Sequence, residues 1–155
     1  MPHDPRQIFN TARSFSLAAN RSLEQRPLGQ GQSEVLMVPA VACQAFAIEL
    51  YFKAIITLEG GSATGHELGS LYSKIRPNTQ AAIRTRASLS EVELNSKLEE
   101  VSKAFVEWRY IFESQSAHMD LEFLRRIVQA AGVEVEIQLG KVTPAALRKR
   151  PESGE

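Results

Sequence analysis

Ala45-Phe46-Ala47-Ile48-Glu49-Leu50-Tyr51-Phe52-Lys53-Ala54-Ile55-Ile56, followed closely by Gly65-His66-Glu67-Leu68, is the stretch that decides the fold. Almost every position from 41 to 58 is apolar. Glu49, Lys53 and Thr57 are the ordered exceptions, and they fall four apart. On a helix that spacing draws one narrow polar stripe on an otherwise apolar cylinder. A helix apolar nearly all round belongs at the centre of a bundle. An ionisable stripe on such a helix is either a snorkelled seam or the wall of a site.

The rest of the composition fits a bundle around that helix. A chain of 155 residues suits one domain and can bury a core without disulfides or metal. Hydrophobic content is 43% and charged content 23%, as in an ordinary globular protein. Eighteen basic residues balance eighteen acidic ones, so any attraction to nucleic acid or anionic lipid must come from a local patch. Cys43 is the single cysteine. It excludes an intramolecular disulfide and points to a cytoplasmic setting. Met1-Pro2-His3-Asp4-Pro5 lacks the basic-then-apolar plan of a signal peptide. The run from 35 to 58 is long enough to span a bilayer, but it carries Gln44, Glu49 and Lys53. Charges there are expensive in lipid, so the expectation is a buried soluble helix and no membrane partner.

Outward from this helix the chain reads as more helices. A first one spans roughly 4–24, with Ile8, Ala12, Phe15, Ala19 and Leu23 on one face. Arg26-Pro27-Leu28-Gly29-Gln30-Gly31 breaks it. The central helix covers roughly 34–59 and ends at Gly60-Gly61. Thr64-Gly65-His66-Glu67 has the pattern of a capping box for a short helix with Leu68, Leu71, Tyr72 and Ile75 on its apolar face, stopped at Arg76-Pro77. A weak helical piece follows over about 78–86, then a second capping pattern at Ser88-Leu89-Ser90-Glu91. Leu94, Leu98, Val101, Phe105, Trp108 and Phe112 then alternate four-three, the seam of helices packing nearly antiparallel. Leu121, Leu124, Val128 and Ala131 mark a further helix, with Gly132 as its stop. Val133-Glu134-Val135-Glu136-Ile137-Gln138-Leu139 alternates strictly and favours a strand with no partner in the chain. The expectation is an all-α antiparallel bundle of four to five helices over 1–132. A C-terminal extension over 133–155 carries the short strand and a partly disordered tail.

Several side chains could carry chemistry. Arg109 lies about 60° from the centre of the Leu94–Phe112 seam, with Glu113 one turn on. A buried arginine needs a carboxylate. Glu49 and Lys53 on one helix, with Arg109 and Glu113 on another, are therefore open to three readings: an inter-helix ion pair that fixes register, an anion or nucleotide site using Arg109 and Lys53, or simple surface exposure. His66, at the second position of a capped helix, is expected neutral and packed against the bundle, or functional. His118 follows Arg109 by nine positions. An arginine and a histidine suffice for metal-free ribonuclease chemistry if they converge. His3, His66 and His118 are too scattered for zinc, so no metal or other cofactor is expected. Arg84 with Arg86, and Arg125 with Arg126, read as solvated basic pairs.

The residues 45–54, the run Gly65-His66-Glu67-Leu68-Gly69-Ser70-Leu71 and the triplet Trp108-Arg109-Tyr110 resemble the HEPN superfamily (higher eukaryotes and prokaryotes nucleotide-binding domain). The resemblance covers roughly 34–131. It implies an antiparallel bundle of four or five helices, commonly dimeric. Many members act in bacterial toxin–antitoxin, abortive-infection and antiviral systems. Active members are metal-independent ribonucleases whose arginine precedes a histidine by four to six intervening residues. Here eight residues separate Arg109 from His118. Arginine followed by tyrosine, Arg109-Tyr110, is similar to the branch lacking the nuclease motif, whose members bind nucleotides, RNA or partner proteins. The resemblance thus implies a non-catalytic binding and dimerisation module, with Glu49, Lys53, His66, Arg109, Tyr110 and Glu113 as its ligand-binding or ion-pair cluster. The alternative is an endoribonuclease toxin using Arg109 and His118. The unpaired strand expected over 133–139 adds a second reason to expect a homodimer, since a lone strand leaves its amides unsatisfied.

Overall fold

The computed structural model describes residues 3–107, with side chains to 103, and residues 119–140. The protein is mostly α-helical. Among the described residues the order is α1 (Pro5–Ser22), β1 (Arg26–Gly29), β2 (Gln32–Glu34), α2 (Met37–Leu58), α3 (Leu68–Ser73), α4 (Pro77–Ala87), α5 (Glu91–Glu107) and α6 (Leu121–Gln138).

Local chemistry explains where the helices start and stop. Asp4 caps α1, its carboxylate accepting from the Arg6 amide at 2.9 Å, with Pro5 preset for the first turn. α2 ends in paired hydrogen bonds from Gly61 N–H to the Ile56 carbonyl and from Gly60 N–H to the Thr57 carbonyl, which satisfy two of its last carbonyls. Ser90 and Glu93 form a reciprocal capping box at the start of α5. The box therefore sits two residues beyond the Ser88–Glu91 expected. Ser88 is instead the left-handed C-cap of α4.

α2 is the axis of the molecule. Ile48, Phe52, Ile55 and Ile56 are essentially inaccessible, and so are Phe9, Leu71, Ile83, Leu94, Leu98, Leu124 and Ile127 from the other helices. Burying a side chain of this kind contributes about 1.5–3 kcal/mol before entropy is counted. The α5 seam is buried at Leu94, Leu98 and Val101; the side chains of Phe105, Trp108 and Phe112 lie outside the described residues. α1 and α2 run antiparallel, with Phe9 against Tyr51 and Phe15 against Phe46. α6 departs from the antiparallel expectation. Gly132 meets Tyr51 and Gln138 meets Glu59, so α6 runs in the same sense as α2.

Two elements correct the sequence reading. Residues 26–34 form a two-stranded antiparallel hairpin, not a plain break. The larger correction concerns 133–139, which continue α6 and form no strand. Gly132 does not stop that helix. A Cβ there would lie 3.2 Å from Tyr51 Cζ, so glycine is needed for close approach to α2. The alternation of Glu134 and Glu136 with apolar neighbours fits a helix because Glu134 is buried against Arg86. The boundary expected at 132 accordingly falls inside a continuous helix, and the strand-based argument for a dimer lapses.

Candidate functional site

The polar stripe of α2 opens onto the turn between α2 and α3. The burial of α2 on its other faces leaves Glu49 only 9% exposed. The four-residue step places Lys53 one turn on, and its Nζ donates to Glu49 Oε1 at 2.7 Å. Thr57 continues the stripe, donating its hydroxyl to the Lys53 carbonyl at 2.8 Å.

His66 comes to the same carboxylate oxygen from the turn. Its Nδ1 lies 2.8 Å from Glu49 Oε1, across seventeen residues of sequence. Gly65 sits at φ +93, a backbone conformation that L side chains rarely adopt, and this turn swings His66 back over α2. A carboxylate only accepts, so Nδ1 carries the proton and Nε2 is the ring's free nitrogen. The His66 side chain is 85% exposed while that of Glu49 is 11% exposed. The imidazole is thus held from behind and open in front.

The turn is pinned on both sides. Lys74 Nζ donates to the Thr64 carbonyl at 2.9 Å, and the Leu68 amide donates to Ser102 Oγ of α5 at 3.1 Å. Glu67 caps α3 with its own carboxylate, accepting from the Ser70 amide at 2.7 Å, the Gly69 amide at 3.1 Å and the Ser70 hydroxyl. The Ser70 hydroxyl, ahead of these amides, holds the Glu67 carboxyl below its ordinary range. The capping box expected at Thr64–Glu67 does not form, because Thr64 is engaged by Lys74 and the helix begins only at Leu68. His66 therefore precedes α3 and does not occupy its first turn. It is not packed against the bundle.

The structure brings together three of the residues singled out from sequence: Glu49, Lys53 and His66. Arg109, Tyr110, Glu113 and His118 lie outside the described residues, and so do the Glu49–Arg109 pair and the Arg109–His118 convergence. Among the described residues no group of three or more His, Cys, Asp or Glu is placed to hold a metal ion. The sequence reading missed Ser102 and Lys74, whose roles depend on contacts thirty-four and ten residues away. It also read Arg84 and Arg86 as a solvated pair. Arg84 bonds the Tyr72 hydroxyl at 3.2 Å and Arg86 pairs with Glu134 at 2.6 Å. Arg125 and Arg126 do lie at the surface, both on Glu122, whose carboxyl they hold down at about 2.

The chain matches no family model, no curated protein and no solved structure.

Proposed function

We propose that this protein is an HEPN-like helical binding and dimerisation module, non-catalytic and cytoplasmic. Its ligand is the phosphate of a nucleotide or RNA, met at Lys53 and His66. The observation that carries the reading is the single Glu49 oxygen shared by Lys53 at 2.7 Å and His66 at 2.8 Å. One carboxylate fixes two nitrogen donors, an exposed imidazole and, beneath it, a lysine whose side chain is 16% exposed. The Lys53 ammonium keeps two further N–H donors, and protonated His66 offers a second N–H through Nε2. A phosphate oxygen that accepts from both meets donors already oriented, which lowers the ordering cost of binding. The likeness of 45–54 and 65–71 to the superfamily supports the same ligand class and a role in a bacterial defence or toxin–antitoxin setting. A partner protein carrying an acidic group would use the same donors.

Fluorescence anisotropy with labelled adenine nucleotides and short single-stranded RNA tests the reading. Binding by the wild type should weaken about tenfold in Lys53→Met and in His66→Ala, the worth of one charge-assisted hydrogen bond. Equal affinity in all three proteins removes the site. The ribonuclease alternative is checked in the same preparations. Cleavage of transfer RNA without metal, abolished by His118→Ala, would replace a binding module with an enzyme.

A further inference from the structure

The cations of this protein fall into two groups. Every described arginine and lysine from Lys53 to Arg126 holds a carboxylate, a carbonyl or a hydroxyl. Among the described residues the side chains of Arg6, Arg13, Arg21 and Arg26 form no ion pair. Three of them share one line of α1, Arg6–Asn10–Arg13–Leu17–Arg21, in steps of four, three, four and four, and every member of the line is exposed. α1 contains no acidic residue to offset them. Large apolar side chains are exposed at the same end of the molecule. Leu17 interrupts the arginine line, Leu28 of β1 is 62% exposed, and Leu36, Met37 and Val38 at the start of α2 are 47%, 42% and 40% exposed. The Leu36 amide donates to the Ser22 carbonyl at 3.0 Å, which ties the start of α2 to the end of α1. Arg21, Arg26 and Leu36 then line one cavity of about 210 Å³ with Glu24 and Glu34. The free arginines and the exposed apolar side chains thus meet in one surface.

We propose that this surface docks on an anionic lipid bilayer, with the arginines on the headgroups and Leu28, Leu36, Met37 and Val38 at the acyl boundary. Charge and apolar area together select that occupant. Cations near an anionic surface gain from its potential, and apolar side chains beside them gain from leaving water. RNA would satisfy the arginines but would leave the apolar side chains in water. A second copy of the chain would set one arginine line against another. The hairpin suits the contact because residues 24–34 are exposed throughout and owe nothing to the core. The arginine line runs about 22 Å along α1, long enough for the helix to lie flat on the headgroups. Glu49 and Lys53 argue against α2 as a membrane span, and a surface contact leaves α2 inside the bundle. The proposal is independent of the ligand assigned to Lys53 and His66.

Co-sedimentation of the full chain with lipid vesicles tests the proposal. The protein should bind phosphatidylcholine vesicles containing one-third phosphatidylserine, should not bind phosphatidylcholine alone, and should bind less as salt is raised. Arg13→Gln and Arg21→Gln should each weaken binding about fivefold, as expected for one cation near an anionic surface. Leu28→Ser should weaken it about tenfold. Arg125→Gln, at an arginine already held by Glu122, should leave it unchanged. All four positions are exposed, so each variant should melt as the wild type does. The basic run Arg148-Lys149-Arg150 is present in every variant, so its contribution is constant. No binding to the anionic vesicles, or binding indifferent to Arg13→Gln, Arg21→Gln and Leu28→Ser, overturns the proposal. Binding that needs the arginines but not Leu28 also overturns it, and short single-stranded RNA bound with that same pattern would then be the occupant of the arginine line.

Discussion

Glu49 and Glu134 are buried to nearly the same degree, 9% and 7% exposed, yet they serve different ends. Glu134 of α6 accepts from Arg86 of α4 at 2.6 Å and from Gln138 at 3.3 Å. Gln138 reaches on to Glu59 at the end of α2, which also accepts from Thr79 at 2.5 Å and from the Arg76 amide at 2.8 Å. That network joins α2, α4 and α6 and closes on itself. Glu49 joins one helix to one turn, and its outer partner, His66, stands in water. The difference lies in the partners, since the burial is the same. A carboxylate whose cationic partner is mostly covered, as Arg86 is with a side chain 28% exposed, fixes helices; one whose outer partner is 85% exposed, as His66 is, holds that partner out for something else.

The comparison predicts its largest effect at Arg86. Arg86→Met leaves Glu134 buried with only the weak bond from Gln138, and should cost about 3 kcal/mol in urea unfolding. Arg86→Met with Glu134→Leu should recover more than half of that loss, because the desolvated charge is gone. A double variant no better than the single one would mean that α4 is held by packing and that the Glu134 network is incidental.

Gly132 ranks next, because it sets the approach of α6 to α2 that brings Gln138 to Glu59. Alanine is favoured over glycine in a helix by about 1 kcal/mol. Here its Cβ would lie 3.2 and 3.4 Å from Tyr51 ring carbons, and overpacking of this kind costs about 1–3 kcal/mol. The clash should win, so Gly132→Ala lowers the melting temperature and Gly132→Ala with Tyr51→Leu restores it. A stabilised single variant would show that the contact has room to give.

These residues also mark what the sequence could tell. α2 was legible because an apolar face all round has one explanation in a small protein, and α1, α3 and α5 because their apolar periods agree with their burial. The shared face of Glu49 and Lys53 followed from a four-residue step, but their salt bridge to each other did not, since the sequence reading set them against Arg109 and Glu113 on another helix. Glu134 did not follow, because a carboxylate between valines announces a strand unless Arg86, forty-eight residues away, is known to meet it. Gly132 misled for the same reason: a glycine that ends a helix and one that admits a ring look alike until the ring is placed. The hairpin was missed because its strands are three and four residues long with every side chain exposed, so no alternation exists to read. His66 was found as a residue but misplaced by one turn of chain, since Lys74 decides how Thr64 is used.

The start of α6 offers a smaller, pH-dependent effect. Asp120 accepts from the Phe123 amide at 2.9 Å and pairs with Lys97 at 3.1 Å. The Phe123 amide, followed by Lys97, holds its carboxyl below the ordinary value of 3.8. A folded-state pKa below the unfolded one contributes stability that is complete above about pH 4 and is lost as pH falls through the lower folded value. Asp120→Asn keeps a capping side chain but not the charge, and should cost about 0.5–1 kcal/mol at pH 7. The gap from wild type should close in urea melts toward pH 2. A gap constant across that range would assign the effect to the cap's shape.

His66→Ala should have the smallest effect on stability and decides what the comparison means. The imidazole is 85% exposed and bonds to one carboxylate oxygen that Lys53 already serves. Removing it leaves Glu49 paired, so the change in unfolding free energy should stay within about 0.5 kcal/mol, as for an exposed ion pair. The contrast with Arg86→Met is then severalfold for two carboxylates of equal burial. Nucleotide and RNA affinity should behave in the opposite way, falling about tenfold in His66→Ala and holding in Arg86→Met at temperatures where that variant is folded. Stability loss at His66 comparable to that at Arg86 would make the Glu49 cluster a second structural clasp. Its exposure would then be no guide to function, and the search for the ligand would have to move elsewhere on the molecule.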